Sequence, residues 1–113
     1  MAELTGTWQL AAGSAPGARI PTLSVAADGS ISGTGGVNRY RGVVDATAMT
    51  EGRWIASGLG VERPKASTAE AMALEQQFFT AIARADRAVI AGDLLQLHRG
   101  DELLAVLRRS WLR

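Results

Sequence analysis

The chain contains no cysteine. That excludes a disulfide framework, a thiol nucleophile and any cysteine-built zinc site. His98 is the sole histidine, so paired-histidine metal motifs are excluded, and a histidine-centred triad would have to use that residue. No uninterrupted apolar run exceeds five residues, whereas a membrane-spanning helix needs about 20, so no transmembrane helix is expected. A basic excess is missing too. Twelve basic against eleven acidic residues leave a net charge of +1, short of what phosphate-backbone binding demands, and no nucleic-acid partner is expected. Eleven of the twelve cations are arginine. Arg108, Arg109 and Arg113 gather beside Trp111 and read as a solvated strand end.

What remains is an ordinary globular composition. At 113 residues, 47% hydrophobic and 20% charged, the chain makes one domain with a core of its own and is not a disordered segment. No charged segment followed by an apolar stretch opens it. Either a cytoplasmic protein or one whose leader has been removed fits, and with a leader the expected compartment is the periplasm or cell envelope.

Short strand signals separated by glycine-rich turns dominate. Thr5–Leu10 alternates around Trp8 and Leu10. Pro21–Ala26 puts Leu23 and Val25 on one face, Asp28-Gly29 is a two-residue hairpin signal, and Ser30–Thr34 returns. Arg41–Ala48 and Arg53–Leu59 read as further strands. Ser67-Thr68-Ala69-Glu70 then has the form of a capping box, and a helix is expected over about 68–85. Arg87–Ala91, Leu94–His98 and Leu103–Arg109 close the chain as strands, with Gly92-Asp93 and Gly100-Asp101 as their turns. Five strands, one helix and three strands with hairpin-short connections imply an α+β domain on antiparallel strands.

Most signals for chemistry dissolve on inspection. Arg99-Gly100-Asp101 spells an adhesive tripeptide, but glycine and aspartate are also what a hairpin tip requires. Gly33-Thr34-Gly35-Gly36 is followed by no Gly-Lys-Ser/Thr and no helix, so it is not a phosphate loop. Gly35 and Gly36 are instead expected to serve a positive φ or a tight backbone crossing. His98 should point outward with Gln96 if Leu95 and Leu97 face inward. Glu51, Glu62, Asp86, Asp93 and Asp101 fall in loops or turns, without the spacing of an acid–base pair or a cation site. No metal or cofactor is expected. Glu75 differs from these. On a helical wheel Ala71, Leu74, Phe78, Phe79 and Ile82 form the apolar face, and Glu75 falls inside that arc. A carboxylate there needs donors. It is either a structural anchor or a functional acid.

Four elements together carry a family likeness: Leu4-Thr5-Gly6-Thr7-Trp8-Gln9-Leu10; Gly33-Thr34-Gly35-Gly36-Val37-Asn38-Arg39-Tyr40-Arg41-Gly42; Ala71-Met72-Ala73-Leu74-Glu75-Gln76-Gln77-Phe78; and Gly92-Asp93-Leu94-Leu95-Gln96-Leu97. In this order and spacing the chain resembles the META domain family, that of the bacterial heat-shock protein HslJ, over essentially its whole length. The resemblance implies an antiparallel sheet curled into a partly open barrel with the helix packed against it. It also implies a small stress-associated domain, often of the bacterial envelope, with no established catalytic activity. Trp8, Gly35, Gly36, Asn38, Tyr40, Gly42 and Glu75 are the structural residues it singles out. The family's usual cysteines are replaced, by Val37 and, less securely aligned, Ser67, which removes any thiol role and weakens the case for an oxidising compartment.

The expected function is therefore binding, of a small apolar ligand or a protein partner in a cleft between curled sheet and helix. Trp54, Trp111 and Tyr40 are candidate lining aromatics, although aromatics in a small domain commonly fill its core. Two alternatives come from other classes: a small hydrolase using Glu75 and His98, and a structural module of a larger assembly. Oligomeric state is not legible. Trp8 should be a central core residue. Glu75 should accept hydrogen bonds from Gly35–Arg41, through backbone amides or an arginine, as a latch rather than a proton donor.

Overall fold

Alternation of large apolar with polar or small residues makes most segments of this chain strands with one face to bury. The computed structural model describes residues 4–11, 13–62 and 64–110. The elements are β1 (Gly6–Leu10), β2 (Thr22–Val25), β3 (Ser30–Thr34), β4 (Arg39–Val44), α1 (Ala46–Thr50), β5 (Ala56–Val61), α2 (Ala69–Arg84), β6 (Arg87–Ala91), β7 (Leu94–Arg99) and β8 (Glu102–Arg109). The strands form one antiparallel sheet in the order β5-β4-β3-β2-β1-β8-β7-β6. Nearly every neighbour is also a neighbour in sequence. The exception is β1 with β8, which joins the two ends of the chain in the middle of the sheet.

The sheet curls until its edges approach each other without closing. β5 and β6 do not pair, but the segment before β5 reaches across. Arg53 bridges Arg87, the Trp54 amide donates to the Asp86 carbonyl at 3.0 Å, and the Ala88 amide donates to the Gly52 carbonyl at 3.0 Å. The result is a partly open barrel with α2 packed against it. Trp8, Leu23, Ile31, Leu95, Leu97 and Leu107 come from the strands, and Phe78 and Ile82 from α2; together they form one buried cluster. Trp8 is fully buried, its indole N–H donating to the Leu4 carbonyl at 2.9 Å and its ring lying 4.1 Å below the Arg109 guanidinium. Removal of so large a buried ring costs about 3–5 kcal/mol. Trp54 is buried as well, its indole N–H donating to the Ile82 carbonyl at 2.9 Å, which fastens α2 to the arm that bridges the barrel edges.

Three sequence expectations need correction. The strand expected over Arg41–Ala48 stops at Val44, because the Asp45 side chain accepts from the Ala48 amide at 3.0 Å and caps the short helix α1. The strand expected over Arg53–Leu59 begins only at Ala56, since Arg53 and Trp54 are engaged with the β6 side. Finally, α2 is capped by Thr68, whose hydroxyl accepts from the Ala71 amide at 3.0 Å. Ser67 lies one residue too early, and its hydroxyl donates to the Gly17 carbonyl. With Thr68 as the cap, Glu70 is at the second helical position and cannot close a capping box. The Arg99-Gly100-Asp101 segment is the tip of the β7–β8 hairpin, with Gly100 at φ 58°.

Candidate functional site

The turn from β3 to β4 is built from Gly35, Gly36, Val37 and Asn38. It is closed by the Gly35 amide donating to the Asn38 carbonyl at 3.0 Å and by the Gly36 amide donating to the Thr34 hydroxyl at 3.0 Å. This geometry leaves the next two amides pointing into the protein, toward α2. Glu75 Oε1 accepts from the Val37 amide at 3.0 Å and the Asn38 amide at 2.6 Å, and Oε2 accepts from Asn38 Nδ2 at 2.7 Å. Both side chains are buried, each 4% exposed. The donors are backbone amides and an asparagine, not an arginine; among the described residues no cation pairs with Glu75. Three N–H donors satisfy a buried carboxylate without a counter-charge, since hydrogen bonds to an ionised acceptor are roughly twice as strong as neutral ones. Asn38 extends the connection. Its Nδ2 also donates to the Lys65 carbonyl at 3.0 Å, and its Oδ1 accepts from the Lys65 amide at 2.8 Å. One buried pair thus joins three segments: the turn, α2 and the loop that leads into α2.

The two glycines serve this junction in different ways. Gly35 is a point of close approach, because a Cβ there would lie 2.6 Å from Glu75 Cγ and 2.7 Å from the Phe79 ring. Gly36 takes φ +112°, a conformation that disfavours a side chain, and its carbonyl accepts from the Arg19 amide at 2.8 Å. Gly42 lies at the register shift between β4 and β5, where a Cβ would meet Leu59 Cδ2 at 3.0 Å.

Tyr40 directs its ring inward. Its hydroxyl donates to the Thr22 carbonyl at 2.7 Å, and its ring stands edge-on to Phe78 and Phe79 at centroid distances of 6.1 and 5.3 Å. Burial pushes the phenol well above its ordinary pKa. Of the three aromatics considered as lining residues, Trp54 is core and Tyr40 is buried with one edge on a groove, while Trp111 lies outside the described residues.

α2 leaves an open groove on each flank. One, of about 290 Å³, runs between α2 and β8 and is lined by Leu10, Leu74, Phe78, Ala81, Leu104 and Val106. It exists because β1 is shorter than β8. β1 stops pairing at Leu10 opposite Leu107, the Ala11 amide makes one more bond to the Val106 carbonyl, and Glu102–Ala105 continue without β1 beside them. The other groove, of about 280 Å³, lies between α2 and edge strand β5, against Tyr40, Leu59, Val61 and Phe79. Both are mainly apolar and near the lower end of ligand-pocket sizes.

His98 is on the outer face of β7 with Gln96, and Nε2 meets Gln96 Oε1 at 3.1 Å. It is half-buried rather than solvent-facing, and Nδ1 is buried without a hydrogen-bond partner among the described residues. No hydrogen bond joins it to Glu75. Among the described residues no three His, Asp or Glu side chains converge as a metal site would require. The Asn38–Lys65 connection escaped sequence reasoning, and in place of the one cleft expected between sheet and helix there are two grooves, one on each flank of α2. An asparagine gripping a loop backbone leaves no periodic trace, and the α2–β8 groove follows from β1 being shorter than β8.

A model of the META domain family matches residues 2–111. No curated protein matches the sequence significantly. Among solved structures, an NMR structure of a protein from Burkholderia xenovorans superposes with a TM-score of 0.72 over 95% of this chain and 83% of its own, at 22% identity. Another NMR structure superposes with a TM-score of 0.71 over 96% of this chain and 93% of its own, at 16% identity. At those identities the likeness is one of fold.

Proposed function

Because this chain belongs to the META domain family, we propose that it is a non-enzymatic stress-response domain of the bacterial envelope that acts by binding. The groove between α2 and β8 is its binding site, and the occupant is a small apolar molecule or an apolar segment of a protein partner. The observation that carries this reading is the groove itself, an apolar channel of about 290 Å³ bounded by Leu10, Leu74, Phe78 and Leu104. Its walls come from three rigid elements, so little ordering is needed when a ligand enters. The state of Glu75 supports binding over chemistry. Both carboxylate oxygens are engaged by Val37 and Asn38, and His98 Nε2 faces Gln96. A hydrolase built on that pair would have to break the latch to free its acid.

The test is an amide NMR titration with alkyl carboxylates of increasing chain length and with short apolar peptides. Saturable shifts are expected at Leu10, Leu74, Phe78, Leu104 and Val106. Leu74→Gln should weaken binding by roughly tenfold or more, the equivalent of one leucine's burial. Shifts confined to another surface, or none at any chain length, would overturn the assignment of this groove.

A further inference from the structure

The outer face of β2, β3 and β4 has chemistry opposite to that of the grooves. Its registers, Ser24 opposite Ser32, Ser32 opposite Arg41 and Thr34 opposite Arg39, set hydroxyls beside guanidinium groups on one surface. Where the β2–β3 ladder ends, the Thr34 amide donates to the Thr22 hydroxyl at 3.1 Å instead of to backbone. A hollow of about 290 Å³ opens there, lined by Arg19, Arg39 and Lys65 around Thr22, Ser24 and Ser32. Among the described residues no carboxylate lines it. The ion pairs among the described residues are Arg41 with Glu62 and Arg53 with Glu51; Arg19, Arg39 and Lys65 are in neither. Glu62 lines the adjoining hollow beside Arg39 and Lys65, where it pairs with Arg41. On a chain whose net charge is only +1, three cations outside both ion pairs around one hollow still concentrate positive potential there.

These cations come from three separate segments, and the buried junction brings them together. The Arg19 amide donates to the Gly36 carbonyl at 2.8 Å, and the Lys65 amide donates to Asn38 Oδ1 at 2.8 Å. Arg39 directly follows Asn38, whose own amide is held by Glu75. Their backbones are therefore placed before any ligand arrives, which reduces the ordering cost of binding. Planar guanidinium groups, an ammonium and several hydroxyls form a donor set suited to an anion with several acceptor oxygens.

We propose that this hollow is a binding site for an oxyanion of the phosphate-ester class, with Arg19, Arg39 and Lys65 as its charged contacts and Ser24 and Ser32 as hydroxyl donors. Such an anion reaches the protein either as a soluble phosphate ester or as an anionic lipid headgroup. The experiment titrates the full chain, followed by amide NMR, with inorganic phosphate and glycerol phosphate. Binding to phosphatidylglycerol vesicles is measured in parallel against phosphatidylcholine vesicles. Saturable shifts centred on Ser24, Ser32, Thr34 and Arg39 are expected. Arg39→Gln and Lys65→Gln should each weaken binding by roughly tenfold, the order of a charge-assisted hydrogen bond, with thermal unfolding unchanged. Arg87→Gln, on edge strand β6, should leave binding as it was. Binding of glycerol phosphate that the two variants weaken assigns a soluble ester; variant-sensitive binding to the anionic vesicles alone assigns a headgroup. The proposal is overturned if neither source binds saturably, or if Arg39→Gln and Lys65→Gln bind as the parent does.

Discussion

Substituting glutamine for Glu75 keeps the side chain's size and removes its charge. In the parent, Oε1 receives two amides and Oε2 receives Asn38 Nδ2. The glutamine amide has only one oxygen. If that oxygen faces the Val37 and Asn38 amides, its nitrogen confronts Asn38 Nδ2, donor against donor. Asn38 cannot turn its amide to compensate, because its Oδ1 and Nδ2 are matched to the Lys65 amide and carbonyl. A hydrogen bond to a charged group contributes about 1.5–3 kcal/mol and a neutral one about 1 kcal/mol. Losing one charged bond and neutralising two others, offset in part because a neutral amide is less costly to bury than a carboxylate, should therefore cost about 2–4 kcal/mol. That is a large share of the roughly 5–15 kcal/mol that holds a domain together. A domain of this size loses about 4–6 °C of Tm per kcal/mol, so Tm should fall by roughly 10–20 °C. Urea unfolding followed by fluorescence of the buried Trp8 and Trp54 provides the assay. A companion variant tests the donor–acceptor logic. Combining Glu75→Gln with Asn38→Asp lets the new carboxylate accept from the glutamine nitrogen, and the double variant should be more stable than the sum of the single losses implies. If Glu75→Gln stays within about 0.5 kcal/mol of the parent, the range of an ordinary surface substitution, the latch does not hold the turn.

Further perturbations probe the surroundings of the latch. Gly35→Ala places a methyl group 2.6–2.7 Å from Glu75 and Phe79 and should cost about 1–3 kcal/mol by overpacking; thermal unfolding equal to the parent's would remove the close-approach argument. Trp54→Phe deprives the Ile82 carbonyl of its donor and should cost about 1–3 kcal/mol, with faster amide exchange at the end of α2 as its signature. Tyr40 makes stability depend on alkaline pH. Its folded pKa is raised by burial, so its contribution is complete below the unfolded value of about 10 and is lost as pH rises from there toward the folded pKa. Denaturant titrations from pH 8 to 11 should show a steeper loss in the parent than in Tyr40→Phe, and equal slopes would place the alkaline sensitivity elsewhere.

How much of this was legible in the sequence follows from the range of each determinant. Strand alternation and hairpin dipeptides are local, so all eight strands were legible, as was the inward position of Glu75 on α2. One side-chain cap, from Asp45, makes Ala46–Thr50 a helix where alternation alone predicts a strand through Ala48. Ser67 and Thr68 are chemically near-equivalent as caps, and only the contact of Ser67 with Gly17, 50 positions away, decides between them. The donors to Glu75 were predictable as a segment, since two glycines and an asparagine imply an irregular turn with free amides. Which amides they are, and that Asn38 also grips Lys65, depends on a three-way convergence that no single stretch of chain encodes. The hollow on the outer face is of the same kind. Arg19, Arg39 and Lys65 are unremarkable cations in sequence and become neighbours only through that convergence.

Hydrogen exchange of the Val37 and Asn38 amides tests the central claim most directly. Both belong to a turn between strands, where amides ordinarily exchange through local opening far faster than core strands do. If Glu75 holds them, they should exchange nearly as slowly as the amides of Leu95 and Leu107, and Glu75→Gln should accelerate both well beyond its effect on the core. Rapid exchange of Val37 and Asn38 in the parent, at rates typical of an open loop, would contradict the account.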